Sequence, residues 1–378
     1  MDQTPPSNPY SPPESPATGI APTDQPVENP AVELPQPNIW WVLLIVFGFL
    51  IFQLGVGVVI GVICLAIHLA GKDVDPQNMA AEFNQALGQA SSQELMIFGA
   101  SASTCVFAFV LSLAVYGWLV GKRVAMRPCT AFQAVLVAMA FLPFAVVVSE
   151  IGNWLTPLLP SFGEQAMEQA MFGMSKMSLP MVVIAVCVFP AVGEELLFRG
   201  FIGRGLVGRY GVFVGVLVTS ILFGAVHIHP LQSICAAILG VALHLIYLWT
   251  KSLLAPMLLH FLNNLFAMMC LRYNDVIPIP GVSIISEEGI IHTPVAITLS
   301  SIVIAAVLLR LLYQSRSTWR DKGGKQWPFG YVTAETPLDE QATLAARMPS
   351  LGAVLLLPVM YAGYLALLGW TIARHLPG

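Results

Sequence analysis

The run Ala191-Val192-Gly193-Glu194-Glu195-Leu196-Leu197-Phe198-Arg199-Gly200 sets two carboxylates and a guanidinium inside an otherwise apolar stretch. Leu179 to Val192 carries no charge, and the chain is apolar again from Tyr210 to His227. Charges at membrane depth cost several kcal/mol each unless they are paired or line a wet cavity, so such residues mark a functional site by default. On a helix, Glu195 and Arg199 stand at i,i+4 with the acid on the N-terminal side, the favourable order for an ion pair. Glu194 points about 100° away from Glu195, out of easy reach of Arg199. One glutamate therefore reads as structural and its neighbour as available for chemistry.

Composition extends this to the whole chain. Charged residues make up 10% of the 378 positions and apolar ones 56%, against about 25% charged in an ordinary soluble domain. Several segments exceed the roughly 20 apolar residues that span a bilayer. The expected fold class is all-α, a polytopic transmembrane helical bundle of eight to nine spans with a polar intramembrane cavity. A net charge of −4, without a basic run or a glycine-rich phosphate loop, argues against a nucleic-acid partner. The six cysteines are scattered at 64, 105, 129, 187, 235 and 270 without metal-ligand or redox spacing, and read as small apolar core residues. No cleavable signal peptide is evident.

Taken in order, residues 1–38 are rich in proline and polar side chains, contain no Lys or Arg, and read as a disordered cytoplasmic tail. Three N-terminal helices follow within 39–148, the first anchored by Trp40-Trp41. Residues 161–178 form an amphipathic segment: Phe162, Ala166, Met167, Ala170, Met171 and Met174 recur at helical spacing opposite Glu164, Gln165, Glu168 and Gln169. It reads as a helix lying at the membrane surface. Residues 179–272 hold four more spans, with Pro190 expected to kink the first of them. An eighth span at 293–313, a charged cytoplasmic loop at 314–350 and a ninth span at 351–374 complete the chain.

Two further segments carry polar residues at i,i+4: Phe223 with His227, and His260 with Asn264. Counted at 1.5 Å per residue, Glu194 lies about 15 Å from Arg204 and His260 about 13 Å from Lys251. His227, counted from Arg209, comes out at about 27 Å, which does not match. His229 and His244 are secondary candidates for polar support.

Glu194-Glu195-xxx-Arg199, then Phe223-xxx-His227, then His260-xxx-Asn264, in that order, resembles the CAAX-protease and bacteriocin-processing family of intramembrane proteases. Ser220-Ile-Leu-Phe-Gly-Ala-Val-His227 and Ser252-Leu-Leu-Ala-Pro-Met-Leu-Leu-His260 add to the likeness, which covers roughly 179–270. The resemblance implies an endopeptidase acting on a membrane-associated or lipidated, CAAX-like peptide or protein, in a cavity open to the cytoplasm. It makes Glu194 the general base, assisted by His227. His260 and Asn264 would donate to the oxyanion, and the Glu195–Arg199 pair would hold the helix in register. No cofactor is expected on that version. The alternative is a zinc site of Glu194, His227 and His260 with an open water position. The implied partners are membrane lipids and a peptide or protein substrate. A non-catalytic membrane scaffold or bacteriocin-immunity-type protein is the rival class, and a transporter the third.

Orientation follows the Lys/Arg bias of the loops. With the N-terminus cytoplasmic, that side collects twelve Lys and Arg residues, and the other side holds only Lys72, Lys176, Arg272 and Arg374. The expected location is the cell membrane, multi-pass, with the C-terminus outside. In a background lacking reactive native cysteines, an impermeant thiol reagent on intact cells should label Leu376→Cys and spare Gly330→Cys. Labelling of position 330 alone would reverse the topology.

Overall fold

The computed structural model describes residues 37–72, 76–160, 162, 164–227, 229–283, 290–320 and 343–376. Nearly all of the 1–38 tail, and most of the 314–350 loop, lie outside the described residues. The chain is built from helices α1 (Ile39–Leu69), α2 (Met79–Gly88), α3 (Ala90–Tyr116), α4 (Ala131–Leu155), α5 (Glu164–Lys176), α6 (179–210) and α7 (212–225). They continue as α8 (Pro230–Thr250), α9 (Leu254–Arg272), α10 (Val295–Gln314) and α11 (Leu351–His375). Strands β1 (Ser317–Arg320) and β2 (Thr343–Ala346), which the sequence patterning did not announce, pair antiparallel. Arg127 lies over the Trp319 ring of β1 at 4.8 Å, and the Gln133 amide donates to the Ser315 carbonyl at 2.7 Å.

Helix limits follow local chemistry. Asn38 caps α1 by accepting from the Trp41 N–H at 3.0 Å. Thr130 and Gln133 form a capping box at the start of α4. His229 caps α8, whose first residue, Pro230, has no N–H to leave unpaired.

Among the described residues, eight helices are long and apolar enough to cross a membrane, and the protein is a multi-pass membrane bundle. One of the eight, Leu179–Ala225, runs for 47 residues. A straight helix of that length would reach about 70 Å, more than twice the hydrocarbon thickness. It doubles back at Gly211, whose φ of 81° and ψ of 170° belong to glycine alone. The rings of Phe198 and Phe223 then meet at 5.2 Å. The two arms thus account for the fourth and fifth of the nine expected spans.

This hairpin resolves the mismatch in depth. Arg204 is 2% exposed and hydrogen-bonded to the Tyr116 hydroxyl at 3.0 Å, so it lies inside the bundle and does not mark its edge. Counted from the Gly211 turn, Glu194 is 17 residues away and His227 is 16. Both come to about 25 Å, one on each arm.

The bundle has two main cores. One joins α1, α3, α6 and α7 through Val46, Phe49, Ala108, Leu197, Phe198 and Phe223. The other joins α4, α8, α9 and α10 through Leu136, Ala140, Leu243, Ile246, Leu259 and Leu308. The α6–α7 hairpin and α9 carry the three motifs and meet between these cores. Outward apolar side chains such as Phe47, Leu54 and Val58 of α1 are exposed, as expected of a lipid-facing surface.

Gly211→Ala should destabilise the protein by about 1–3 kcal/mol, because a Cβ strains that conformation. Thermal unfolding in detergent reads the loss. A variant as stable as the parent would show that the turn does not need glycine.

Candidate active site

The helix bearing the knot is not α-helical throughout. Residues Val183–Val188 and Glu195–Gly203 are wound as π-helix, flanking a short α-helical piece, Phe189–Glu194, that contains Pro190. The expected proline kink thus takes the form of overwide turns on either side, which the sequence did not reveal. Gly193 lets this helix lie against α3, because a Cβ there would come within 2.8 Å of the Cys105 amide nitrogen. Glu194 and Glu195 follow immediately, so the contact fixes their rotation about the helix axis.

Glu195 and Arg199 remain paired across the π turn. The Arg199 Nη1 donates to Glu195 Oε1 at 2.8 Å, and both side chains are fully buried. Its Nη2 donates to the Gly240 carbonyl of α8 at 3.2 Å, and the guanidinium stacks over the Phe223 ring at 4.3 Å. A buried cation needs such company, since the desolvation cost is recovered only with good geometry and further hydrogen bonds.

The same Glu195 Oε1 has a second donor that sequence spacing did not predict. His260 Nδ1 lies 2.8 Å from it. Facing a carboxylate, Nδ1 must carry hydrogen, which fixes the ring's orientation. The other ring nitrogen, Nε2, then lies 3.8 Å from Glu194 Oε2. His260 therefore stands between the two glutamates. Glu194 differs from its neighbour in access: its side chain is 18% exposed against 0% for Glu195. Among the described residues, the buried Oε2 atoms of both glutamates lack a hydrogen-bond partner, so access is what separates the two.

His227 Nδ1 sits 2.9 Å from the Phe223 carbonyl and donates to it, which leaves Nε2 of the neutral ring as the basic nitrogen. Its contact with the cluster runs through the Phe223 ring, 5.2 Å from His227 and 6.0 Å from His260. Phe223 thus packs against Phe198, Arg199, His227 and His260 at once. Asn264 Nδ2 donates to the Val186 carbonyl, in the upstream π segment, at 3.0 Å. One of its two amide hydrogens is thereby engaged and the second remains.

The secondary histidines lie elsewhere. His229 accepts from the Gln232 amide as a helix cap. His244 is fully buried beside Gly203, with neither ring nitrogen hydrogen-bonded. Two partners were invisible in sequence, the carbonyls of Gly240 and Val186, because every residue carries one.

Among the described residues, no group of three or more His, Cys, Asp and Glu side chains is placed to hold a metal ion. His260 presents Nδ1 to Glu195, and His227 turns its own Nδ1 to a carbonyl. Each engaged Nδ1 leaves Nε2 unengaged, the arrangement that also orients metal-ligating histidines.

Glu195→Gln should lower stability by about 3–5 kcal/mol, because it leaves a buried guanidinium without its counter-charge. Adding Arg199→Met removes the stranded cation and should restore part of that loss. Detergent-resistant thermal unfolding of the single and double variants tests this. A single variant as stable as the parent would remove the structural role of the pair.

Residues 176–266 match the model of the family described as Type II CAAX prenyl endopeptidase Rce1-like. Over 92 residues the chain is 25% identical to the Putative membrane peptidase YdiL of Bacillus subtilis (strain 168). That alignment covers 24% of this chain and 38% of the relative. No solved structure matches the chain. The matched segment, less than half of the chain, spans the knot, the α6–α7 hairpin, α8 and most of α9, and over it the chain is similar to that endopeptidase family.

Proposed function

We propose that the chain is an intramembrane endopeptidase that hydrolyses a peptide bond in a membrane-associated or lipidated substrate, using a water activated by Glu194. The observation that carries this reading is the difference between the two adjacent carboxylates. Glu195 is closed off by Arg199 and His260. Glu194 is partly accessible and lies 3.8 Å from the His260 ring. The family match supports the same class of reaction.

In this mechanism Glu194 takes a proton from water as the oxygen attacks the scissile carbonyl. The carbonyl π electrons move to oxygen and give a tetrahedral oxyanion. His260, its ring oriented by Glu195 at Nδ1, faces that oxygen with Nε2. The remaining Asn264 amide hydrogen donates to it. His227, level with Glu194 on the facing arm, accepts or returns a proton at Nε2. As the C–N bond breaks, the proton taken by Glu194 passes to the leaving amine. Arg199, with Gly240 and Phe223 around it, holds Glu195 in place. The Lys/Arg bias of the loops supports a cytoplasmic N-terminus and 314–350 segment.

Glu194→Gln retains size and hydrogen bonding but cannot accept the proton. It should reduce cleavage of a panel of membrane-inserted and lipidated peptides by about 10²-fold or more, with unfolding unchanged. His260→Ala should also abolish product. Survival of the product in both variants would overturn the assignment. Protein purified without chelator should carry well below one zinc per chain by elemental mass spectrometry. Stoichiometric zinc that is lost with Glu194→Ala would establish the metal-dependent alternative.

A further inference from the structure

A cavity of about 500 Å³ lies beside the candidate site, and none of Glu194, His227 or His260 lines it. Its volume falls within the range of sites for single small ligands, roughly 300–1,000 Å³. The wall is largely apolar: Met167, Met171 and Met174 of α5, Val148 of α4, and Phe266 and Leu271 of α9. The three methionines belong to the apolar stripe of the amphipathic helix, so that helix forms one wall of the cavity. Arg272 fastens its end by donating to the Met177 carbonyl at 2.6 Å.

Position along the helices gives the cavity its meaning. The α9 residues that line it run from Asn263 to Leu271. They lie about 5–17 Å beyond His260, away from the basic Lys251 end. Two links join it to the site. Asn263 follows directly before Asn264, and the His229 amide donates to the His227 carbonyl at 2.6 Å. The cavity therefore begins where the candidate oxyanion donors end, on the side opposite the basic loops.

Its polar groups narrow the choice of occupant. The Asn263 amide makes only a long 3.4 Å contact with Asn264, and the Gln232 side chain is exposed with no hydrogen bond among the described residues. Each offers both donors and an acceptor. A hydrocarbon chain needs neither, and covering these amides with one would leave them unpaired at a cost. An extended peptide brings its own N–H and C=O groups, which must be satisfied inside a membrane. Methionine walls adapt to varied apolar side chains.

We propose that this cavity binds an apolar, membrane-inserted stretch of the substrate polypeptide adjoining the scissile bond, with Asn263 and Gln232 pairing to its backbone. The substrate is then a chain whose apolar part passes the site and continues toward the face opposite the basic loops. It is not confined to a tail at the basic face. This rests on the protease reading, but it can be tested without turnover.

The probe is a synthetic peptide of about 20 leucine and alanine residues with charged ends, carrying one photoactivatable leucine. It is added to the full chain bearing Glu194→Gln in phosphatidylcholine nanodiscs. Cross-links should map to Met171, Phe266 or Leu271. Met171→Trp with Ala145→Trp, which fill the cavity, should lower their yield at least tenfold without shifting thermal unfolding. Cross-links that avoid the cavity, or that persist in the filled variant, overturn the proposal, and so does a photoactivatable phosphatidylcholine that labels these residues and is not displaced by peptide. Cleavage by the unmodified chain is scored separately. Cross-linking without cleavage would uphold the cavity and sink the protease, and cleavage without cross-linking would do the reverse.

Discussion

One carboxylate oxygen holds the centre of this protein together. Glu195 Oε1 receives Arg199 from one turn along its own helix and His260 from α9, each at 2.8 Å. Arg199 in turn reaches the Gly240 carbonyl of α8 and the Phe223 ring of α7. Four helical segments are thereby joined through a fully buried ion pair. In a bilayer, where apolar side chains gain little by leaving lipid for one another, such polar links help decide which helices meet. The arrangement also sorts two adjacent glutamates. Glu195 takes two donors on one oxygen and is closed off, and Glu194, partly accessible, lies beside the oriented imidazole.

Much of this was legible in the chain. The charged knot, the order of the three motifs and the number of membrane segments all follow from residue type and spacing. Glu195 and Arg199 pair as their i,i+4 spacing requires, although the backbone between them is π-wound. The link from His260 to Glu195 was not legible, because it joins positions 65 apart and depends on how α9 docks. The carbonyls of Gly240 and Val186 leave no sequence signal at all. Glu194 comes out too shallow when counted from Arg204, whereas His227 counted from Arg209 agrees with its distance from the Gly211 turn. Both arginines were taken as edges, yet Arg204 is buried against Tyr116, and the turn lies at Gly211. A charged residue marks a membrane boundary only when nothing inside the protein neutralises it.

The surroundings of the site are asymmetric. Toward the Gly211 turn stand Arg199, Arg204 and the buried His244; on the far side the bundle opens into a methionine-walled cavity under α5. The backbone of α6 is π-wound on both sides of the glutamates, and such turns are frequent at functional sites because they re-aim side chains and carbonyls. Here the upstream π segment supplies the carbonyl that engages Asn264, and the downstream one carries Arg199.

The claim on which the rest depends is that Glu195 couples the knot to His260. A double-mutant cycle on thermal unfolding, with Glu195→Gln, His260→Gln and both together, isolates that pair from the Arg199 contact. The account predicts a coupling of about 1–3 kcal/mol, as for residues that share a buried hydrogen bond. Additive effects, within about 0.5 kcal/mol, would contradict it.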